Sequence, residues 1–402
     1  MLGIDEALDL DRADPLPTEA FDLPADVVYL DGNSLGALAT RVPDVARAVV
    51  ASQWGEGLIR SWNDADWVSL PTRVGDKIGR IIGAPPGTTI ACDSTSVNLY
   101  KAVSAAMGLS EGPKVILTDS SNFPSDRYVL VAMASKSGWR VVVETPEAVG
   151  EALSEGVGVV SLTQVDYTTG RRLDIAALTR AAHEVGAVTV WDLAHSAGAF
   201  RVDIDAAEAD FAVGCGYKFL NGGPGAPGFL YAAERHHSRM INPIAGWFSH
   251  ARPFDFDPDF VPAEGIERMQ VGTPHVVSMA LLEAALDVFE DVDLDSVWDR
   301  GSRLVGHLID GLSSLGLEVL TPHDPGLRGS QASFRHPDAY AIVQALIDRG
   351  VIGDFRTPDI ARFGVAPLYL TYADIARAIA ELDSVLAEGD LTRYAPRRGK
   401  VV

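Results

Sequence analysis

Between Thr88 and Ala233 the chain alternates short apolar runs with longer stretches of mixed polarity. The runs TTIACDS, KVILTDS, WRVVVET, GVGVVSLTQVDY, AVTVWDLAH, DFAVGCGYK and GFLYAA each hold an apolar core of strand length. Runs of that kind predict strands buried on both faces, as in a parallel sheet. Between them, VNLYKAVSAAMGL, SDRYVLVAMASKSG and DIAALTRAAHEVG place apolar residues at helical spacing, the last stopping at Gly186. This alternation predicts an α/β arrangement with helices on both faces of the sheet. Ligands on such sheets bind beyond the carboxyl ends of the strands, so the residues that follow each run are the ones to search.

The flanks read differently. Residues 1–40 are acidic, and VVYLDGNSLGAL reads as a short strand running into a turn. From Val42 to about Gly83 the pattern is helical and rich in tryptophan (Trp54, Trp62, Trp67). Three such residues suit a core or dimer interface before they suit an aromatic pocket. After about residue 280, MALLEAALDVFEDV and VWDRGSRLVGHLIDGLSSLG are helical, and EVLTP and QASFRH are strand-like. YAIVQALIDRG and ADIARAIAELDSVLAEG are helical again, and the basic tail TRYAPRRGKVV is expected to fray. The expected organisation is an N-terminal segment over 1–45 packing with a small domain, a large domain over 46–285 and a small α+β domain over 286–402.

Composition narrows the function classes. Apolar residues make up 47% of the 402 and charged residues 22%, as in a globular protein. The formal charge of −22 argues against nucleic acid and anionic membrane surfaces as partners. Two cysteines, Cys92 and Cys215, are too few for a disulfide scaffold or a structural zinc site, so no metal is expected. The acidic N-terminus does not read as a signal peptide, and no run approaches a membrane span. A cytoplasmic location is the expectation.

Chemistry gathers at the predicted strand ends. Asp192 closes AVTVW, His195 follows it, and Lys218 follows DFAVGCGY ahead of the glycine-rich FLNGGPGAPG. A carboxylate in so apolar a setting needs a cationic partner. A deprotonated lysine can form a Schiff base with a carbonyl cofactor. Pyridoxal phosphate (PLP) takes such a lysine, together with an aspartate that keeps its ring nitrogen protonated. Asp93-Ser94-Thr95-Ser96, opening a helix, offers hydroxyls and backbone N–H groups for a phosphate. Phe123 or Tyr167 could stack on the cofactor ring. Taken singly, each has a bland reading: Asp192 as a helix cap, His195 as structural, Ser94 to Ser96 as capping, GGPGAPG as a loop. Their joint placement at strand ends favours the site. A nucleotide-binding reading finds neither a G-x-G-x-x-G after the first strand nor a P-loop.

These residues lie in segments that resemble kynureninase, a PLP-dependent hydrolase of aminotransferase fold type I. The segments are YLDGNSLG (29–36), DSTSVNLYK (93–101), NFPSDRY (122–128), SLTQVDYTTG (161–170), WDLAHSAGA (191–199), GCGYKFLNGGPG (214–225), GWFSH (246–250) and ARFGVAPLY (361–369). The resemblance implies the PLP-dependent transferase fold: a large domain with a mainly parallel sheet between helices, plus a smaller α+β domain. It implies that Lys218 carries PLP and moves the α-proton, and that Asp192 pairs with the ring nitrogen. His195 would approach the ring oxygen or the substrate. Phe123 would lie over the ring, with Asp126 close to it and Thr163 in contact. Thr95, Ser96 and Tyr217 would hold the phosphate, with Tyr217 also a candidate for proton transfer. Trp247 and Thr273 would reach the phosphate of the other subunit, making the site a property of a homodimer. Arg362 would bind the substrate α-carboxylate, with Asn33 and Ser34 near the substrate. Gly272-Thr273 and Trp62 resemble the bacterial type, which prefers L-kynurenine to its 3-hydroxy form.

The implied reaction is hydrolysis of L-kynurenine to anthranilate and L-alanine in tryptophan catabolism. The pathway served (degradation, NAD biosynthesis or secondary metabolism) stays open, as does the base that activates water. Rival readings on the same fold are an aminotransferase and a cysteine desulfurase-like lyase. The latter needs a reactive cysteine late in the chain, and none follows Cys215. Its usual residue before the lysine is His, and here it is Tyr217. A PLP-binding regulator would carry an added DNA-binding module, against which the charge also argues.

Overall fold

The computed structural model describes residues 2–154, 156–389 and 391–394; the basic tail beyond Tyr394 lies outside the described residues. The strands in chain order are β1 (Val28–Tyr29), β2 (Thr89–Ala91), β3 (Val115–Asp119), β4 (Arg140–Glu144), β5 (Val159–Thr163), β6 (Val188–Asp192), β7 (Phe211–Cys215), β8 (Gly228–Ala232), β9 (Glu318–Val319), β10 (Gln331–Arg335), β11 (Val351–Ile352), β12 (Asp354–Arg356) and β13 (Ile360–Gly364).

A seven-stranded sheet takes the order β2-β8-β7-β6-β5-β3-β4. β7, β6, β5, β3 and β4 run parallel, while β8 is antiparallel to β7 and β2 to β8. Alternation along the strands explains why they read as unbroken apolar runs. Ile116, Val159, Val190, Phe211 and Leu230 pack on one side with Leu99, Val103 and Leu130. Their neighbours Leu117, Val160, Trp191, Ala212 and Tyr231 belong to the core on the other side, with Val74, Ile78 and Leu282. Both faces are therefore dry, as in a doubly covered sheet. The expected α/β class is what the chain adopts.

One buried carboxylate fixes the entry to β6. Asp210 accepts from the Thr189 amide at 2.8 Å and its hydroxyl at 2.9 Å, and from His183 at 2.8 Å, His236 at 2.7 Å and Arg235 at 2.8 Å. Burial alone would raise this carboxyl, but the bonds from His183, His236 and Thr189 outweigh it and hold it far below the usual range. A group with a depressed folded pKa stabilises the fold above its unfolded value and loses that contribution as acid titrates it. Asp210→Asn is therefore expected to cost about 3 kcal/mol at neutral pH. Urea midpoints at pH 7 and pH 3 test this: the gap between wild type and variant should shrink at the lower pH.

The second sheet, β12-β13-β10-β9, is antiparallel throughout. Its β9 and β10 were expected from EVLTP and QASFRH; β12 and β13 were not. β12 carries Asp354 and Arg356, and β13 carries Arg362, so no apolar run announces them. Helix Tyr372–Glu388 lines Ile375, Ile379, Leu382 and Val385 along its buried face, each contributing about 1.5–3 kcal/mol of burial.

The segment from helix Ile4–Ala13 to β1 lies on this second half. Helix Ile4–Ala13 packs against Tyr372–Glu388, where the Asp11 carboxylate accepts from the Tyr372 and Ala373 amides at 2.8 and 3.0 Å. β1 pairs in parallel with β11. The helical expectation over 42–83 needs correction. Val42–Arg47 is α-helical, Ala48–Gly57 is a π-helix, and only Leu70–Ile82 is a full α-helix. Leu58 and Asp66 take positive φ. Gly55 and Gly57 weaken the helix there, and the Ser61 hydroxyl binds the Gln53 carbonyl at 2.6 Å across the break.

Candidate active site

The parallel strands β5, β6 and β7 end side by side, and the chain leaves each of them carrying chemistry. β6 ends on Asp192, whose carboxylate accepts from the Ala194 amide at 2.8 Å. β7 runs into Gly216-Tyr217-Lys218, and the Lys218 Nζ lies 2.8 Å from His195 Nε2. β5 ends on Thr163. Together they floor a cavity of about 200 Å³, also lined by Thr95, Ser96, Phe123, Asp126, Tyr167 and Tyr217. Asp192, His195, Lys218, Thr163 and these six, all named from sequence, thus share one cavity.

Electrostatics set the protonation of its members. Burial depresses the Lys218 ammonium below the ordinary lysine value. Burial, and then the Lys218 charge, push the His195 imidazole well below its usual value, so it is neutral. Asp192 and Asp126 are both buried and each feels the other. Burial raises Asp126 well above the carboxylate range and the Asp192 charge raises it further. Burial also raises Asp192, but the Lys218 charge opposes it. The proton of the pair therefore resides on Asp126 and the charge on Asp192. Burial pushes the Tyr217 hydroxyl up, which keeps it a donor at neutral pH.

The loop that carries Lys218 is clamped from the N-terminal side. Gly36 donates to the Tyr217 carbonyl at 2.8 Å. A Cβ at Gly36 would fall on the Lys218 carbonyl oxygen and within 2.6 Å of the Asn221 Cα, so only glycine allows this approach.

The donor set fits PLP. An amine suited to a carbonyl and a buried carboxylate share the cavity. Asp126 Oδ2 and His195 Nδ1 are buried there without a protein partner. Helix Thr95–Leu109 points its N-terminus at the same space, and Ser94 caps it without a side-chain bond. A Cβ at Gly228 would come within 3.1 Å of the Thr95 amide nitrogen, so the glycine keeps that amide open to an anion. Lys101 was passed over in the sequence as a helix residue. It is fully buried and donates to Asp93 at 2.6 Å and the Met269 carbonyl at 2.6 Å, bracing the turn before the helix. Phe123 meets Tyr167 edge-on at 5.0 Å beside the cavity.

Arg362, Asn33 and Ser34 form a second group next to this cavity. Arg362 is buried, donates from Nε to Asp354 Oδ1 at 2.8 Å, also pairs through Nη2 with Asp354, and gives Nη1 to the Tyr167 carbonyl at 2.6 Å. Its Nη2 reaches Ser34 Oγ at 3.1 Å, and Asn33, with its amide oriented to suit its neighbours, accepts from Arg362 Nε at 3.0 Å. Asp31, Asp354 and Arg356 complete this group and were missed. In the sequence each is a lone charge in a turn-like stretch, and only the fold collects them.

Three candidates stand apart from the cavity of their own chain. Trp62 stacks on Phe248 at 5.8 Å, and Trp247 packs on Phe248 at 4.7 Å and Phe254 at 5.5 Å. Thr273 borders a small cleft beside Cys92 and Asp93. Both cysteines are buried and free, and burial raises their thiols.

Comparison with known proteins agrees with this construction. The family model described as the kynureninase C-terminal domain matches residues 299–382. The kynureninase of Deinococcus radiodurans is 51% identical over 391 residues, covering 94% of this chain and 95% of that protein. That of Pseudomonas fluorescens is 43% identical over 394 residues, covering 95% of each. Among solved structures, a cysteine desulfurase from Thermococcus onnurineus superposes with a TM-score of 0.79 at 19% identity, over 93% of this chain and 99% of that one. A variant of the lyase C-DES with glycine covalently linked to its PLP cofactor gives 0.79 at 20% identity, over 89% and 97%. These two share the fold. The near full-length identity to the curated enzymes goes further: the chain belongs to the kynureninase family.

Proposed function

We propose that this protein is a PLP-dependent hydrolase that splits L-kynurenine into anthranilate and L-alanine, with Lys218, Asp192 and Tyr217 as its catalytic residues. The observation that carries the reading is the joint burial of Lys218 and Asp192 at adjacent parallel strand ends, in a chain half identical to a kynureninase.

PLP, when bound, supplies the electron sink that makes the bonds around the substrate Cα and Cβ labile. Lys218 holds it and, because burial favours the free amine, takes and returns the proton at Cα through Nζ. The charge on Asp192 would keep a proton on the ring nitrogen of the bound cofactor, and Asp126, itself protonated, adds no second charge beside it. His195, neutral against Nζ, accepts or relays its hydrogen. Thr95 and Ser96 would cradle the phosphate, and Phe123 and Thr163, which line the same cavity, would hold the ring. Tyr217, kept protonated by burial, donates to the phosphate and serves proton transfer when water adds to the side-chain carbonyl. Arg362, with Asn33 and Ser34, receives the α-carboxylate.

The active unit in this reading is a homodimer, with Trp62, Trp247 and Thr273 acting in the site of the second copy. Their distance from the cavity of their own chain supports it. So does the apolar surface around them, where Trp54, Ile59 and Phe256 are 60%, 76% and 74% exposed. Among the described residues no helix is long and apolar enough to cross a membrane. A cytoplasmic site and a place in tryptophan catabolism, with or without NAD biosynthesis downstream, complete the proposal. L-Kynurenine is preferred to its 3-hydroxy form on the strength of Gly272, Thr273 and Trp62.

The test is to incubate PLP-loaded protein with L-kynurenine and follow anthranilate by fluorescence and alanine by amino-acid analysis. Equimolar products are expected. No anthranilate, in a protein that still shows the visible band of lysine-bound PLP, would overturn the reading in favour of the 3-hydroxy substrate or, if a keto acid is consumed, an aminotransferase.

A further inference from the structure

The carboxylate-binding group beside the cavity holds two arginines, and Arg362 alone does not account for it. Asp354 on β12 accepts from Arg362 through both Nε and Nη2, pairs with Arg356 Nη2 at 2.6 Å and accepts from Ser34 Oγ at 2.8 Å. The Nε–Nη2 edge of Arg362, the edge that forks a carboxylate, is thus already on Asp354. Its Nη1 is drawn to the Tyr167 carbonyl at 2.6 Å. Little of Arg362 is left for an incoming bidentate partner.

Arg356 differs. Its Nη2 contacts Asp354 and, at 3.3 Å, Ser34, but its Nε is buried with no partner. Two guanidiniums around one carboxylate leave a surplus positive charge in a chain that is −22 overall. Asp31 cancels it only in part near neutrality: burial, and then the Asp354 charge, push its carboxyl up to about 7. Asp354 itself is held low by Arg362 and Arg356 against the effect of burial. The surplus lies within electrostatic reach of the catalytic centre, since Arg356 helps depress both Lys218 and His195.

We propose that Arg356 is a second binding residue for the α-carboxylate of the substrate, sharing it with Arg362, while Asp354 and Ser34 orient the two guanidiniums. The ligand class is an α-amino acid; the inference rests on the reading of the cavity as a PLP site and deepens it. Such a subsite discriminates by charge: an amine without a carboxylate gains nothing from it.

The experiment compares wild type, Arg356→Gln and Arg356→Lys, each loaded with PLP. Equilibrium binding of L-alanine and of ethylamine, the same skeleton without the carboxylate, is read from the visible spectrum. Arg356→Gln should weaken L-alanine about 10- to 100-fold and leave ethylamine within about twofold. Arg356→Lys, which keeps the charge, should recover part of the loss. With L-kynurenine Arg356→Gln should raise KM by a similar factor with kcat nearly unchanged. Equal losses for L-alanine and ethylamine, or a fall in kcat at constant KM, would overturn the proposal and leave Arg356 as a prop for Asp354. The binding arm does not depend on turnover, so it stands even if wild type fails to cleave L-kynurenine, a failure that would count against the reaction and not against Arg356.

Discussion

Lys218→Ala is expected to lower kcat on L-kynurenine by about 10⁴-fold or more, because the proposed mechanism gives one side chain the work of both nucleophile and proton carrier. Burial sets the state of this amine. The ammonium form of Lys218 is disfavoured in its cavity, and its nearest polar neighbour, His195, is neutral and 2.8 Å away. Alanine removes the amine without disturbing the cradle at Thr95 and Ser96 or the carboxylate of Asp192, all in the same cavity. The variant should therefore still take up PLP but lack the visible band of the lysine-bound cofactor. Absorbance and anthranilate production measured on one preparation decide the matter. A wild-type rate in the variant would remove Lys218 from the chemistry.

The second large effect separates two aspartates that look alike in composition. Asp192→Asn should lower kcat by about 10³-fold, since the variant lacks the charge proposed to face the ring nitrogen. Asp126→Asn should lower it about tenfold or less, since Asp126 is the member of the pair that already carries a proton. The physical cause is burial acting on both, with the Lys218 charge favouring ionisation of Asp192. Steady-state kcat and the affinity for PLP, measured for both variants, check it. Equal losses would show that the charge is shared and that Asp192 has no special role.

The sheet was legible because its strands are buried on both faces. Ile116 and Leu117, or Val190 and Trp191, face opposite cores, and each strand becomes an apolar run that the sequence displays directly. Strand ends along one rim of such a sheet then point to Asp192, His195 and Lys218 from the sequence alone. The carboxylate group was only partly legible. Arg362 stood out through its resemblance, but Asp31, Asp354 and Arg356 come from stretches with no periodicity, far apart in the chain, and their meaning lies in mutual charge. The break at Gly55 to Ser61 was hidden because a π-helix differs from an α-helix in its backbone bonding, i to i+5 in place of i to i+4, and ten residues of mixed polarity do not display that difference.

The pairing of β1 with β11 also bears on how the protein is made. Val28 leaves the ribosome early, yet its partner Val351 is synthesised more than three hundred residues later. Asp11 waits still longer for Tyr372. Gly36 and Ser34, which clamp the Lys218 loop and Asp354, lie on that same waiting segment. The nascent chain can complete its large sheet while the segment that finishes the pocket is still without its docking partner, so the pocket is finished only once the stretch from Val351 to Tyr372 has been made.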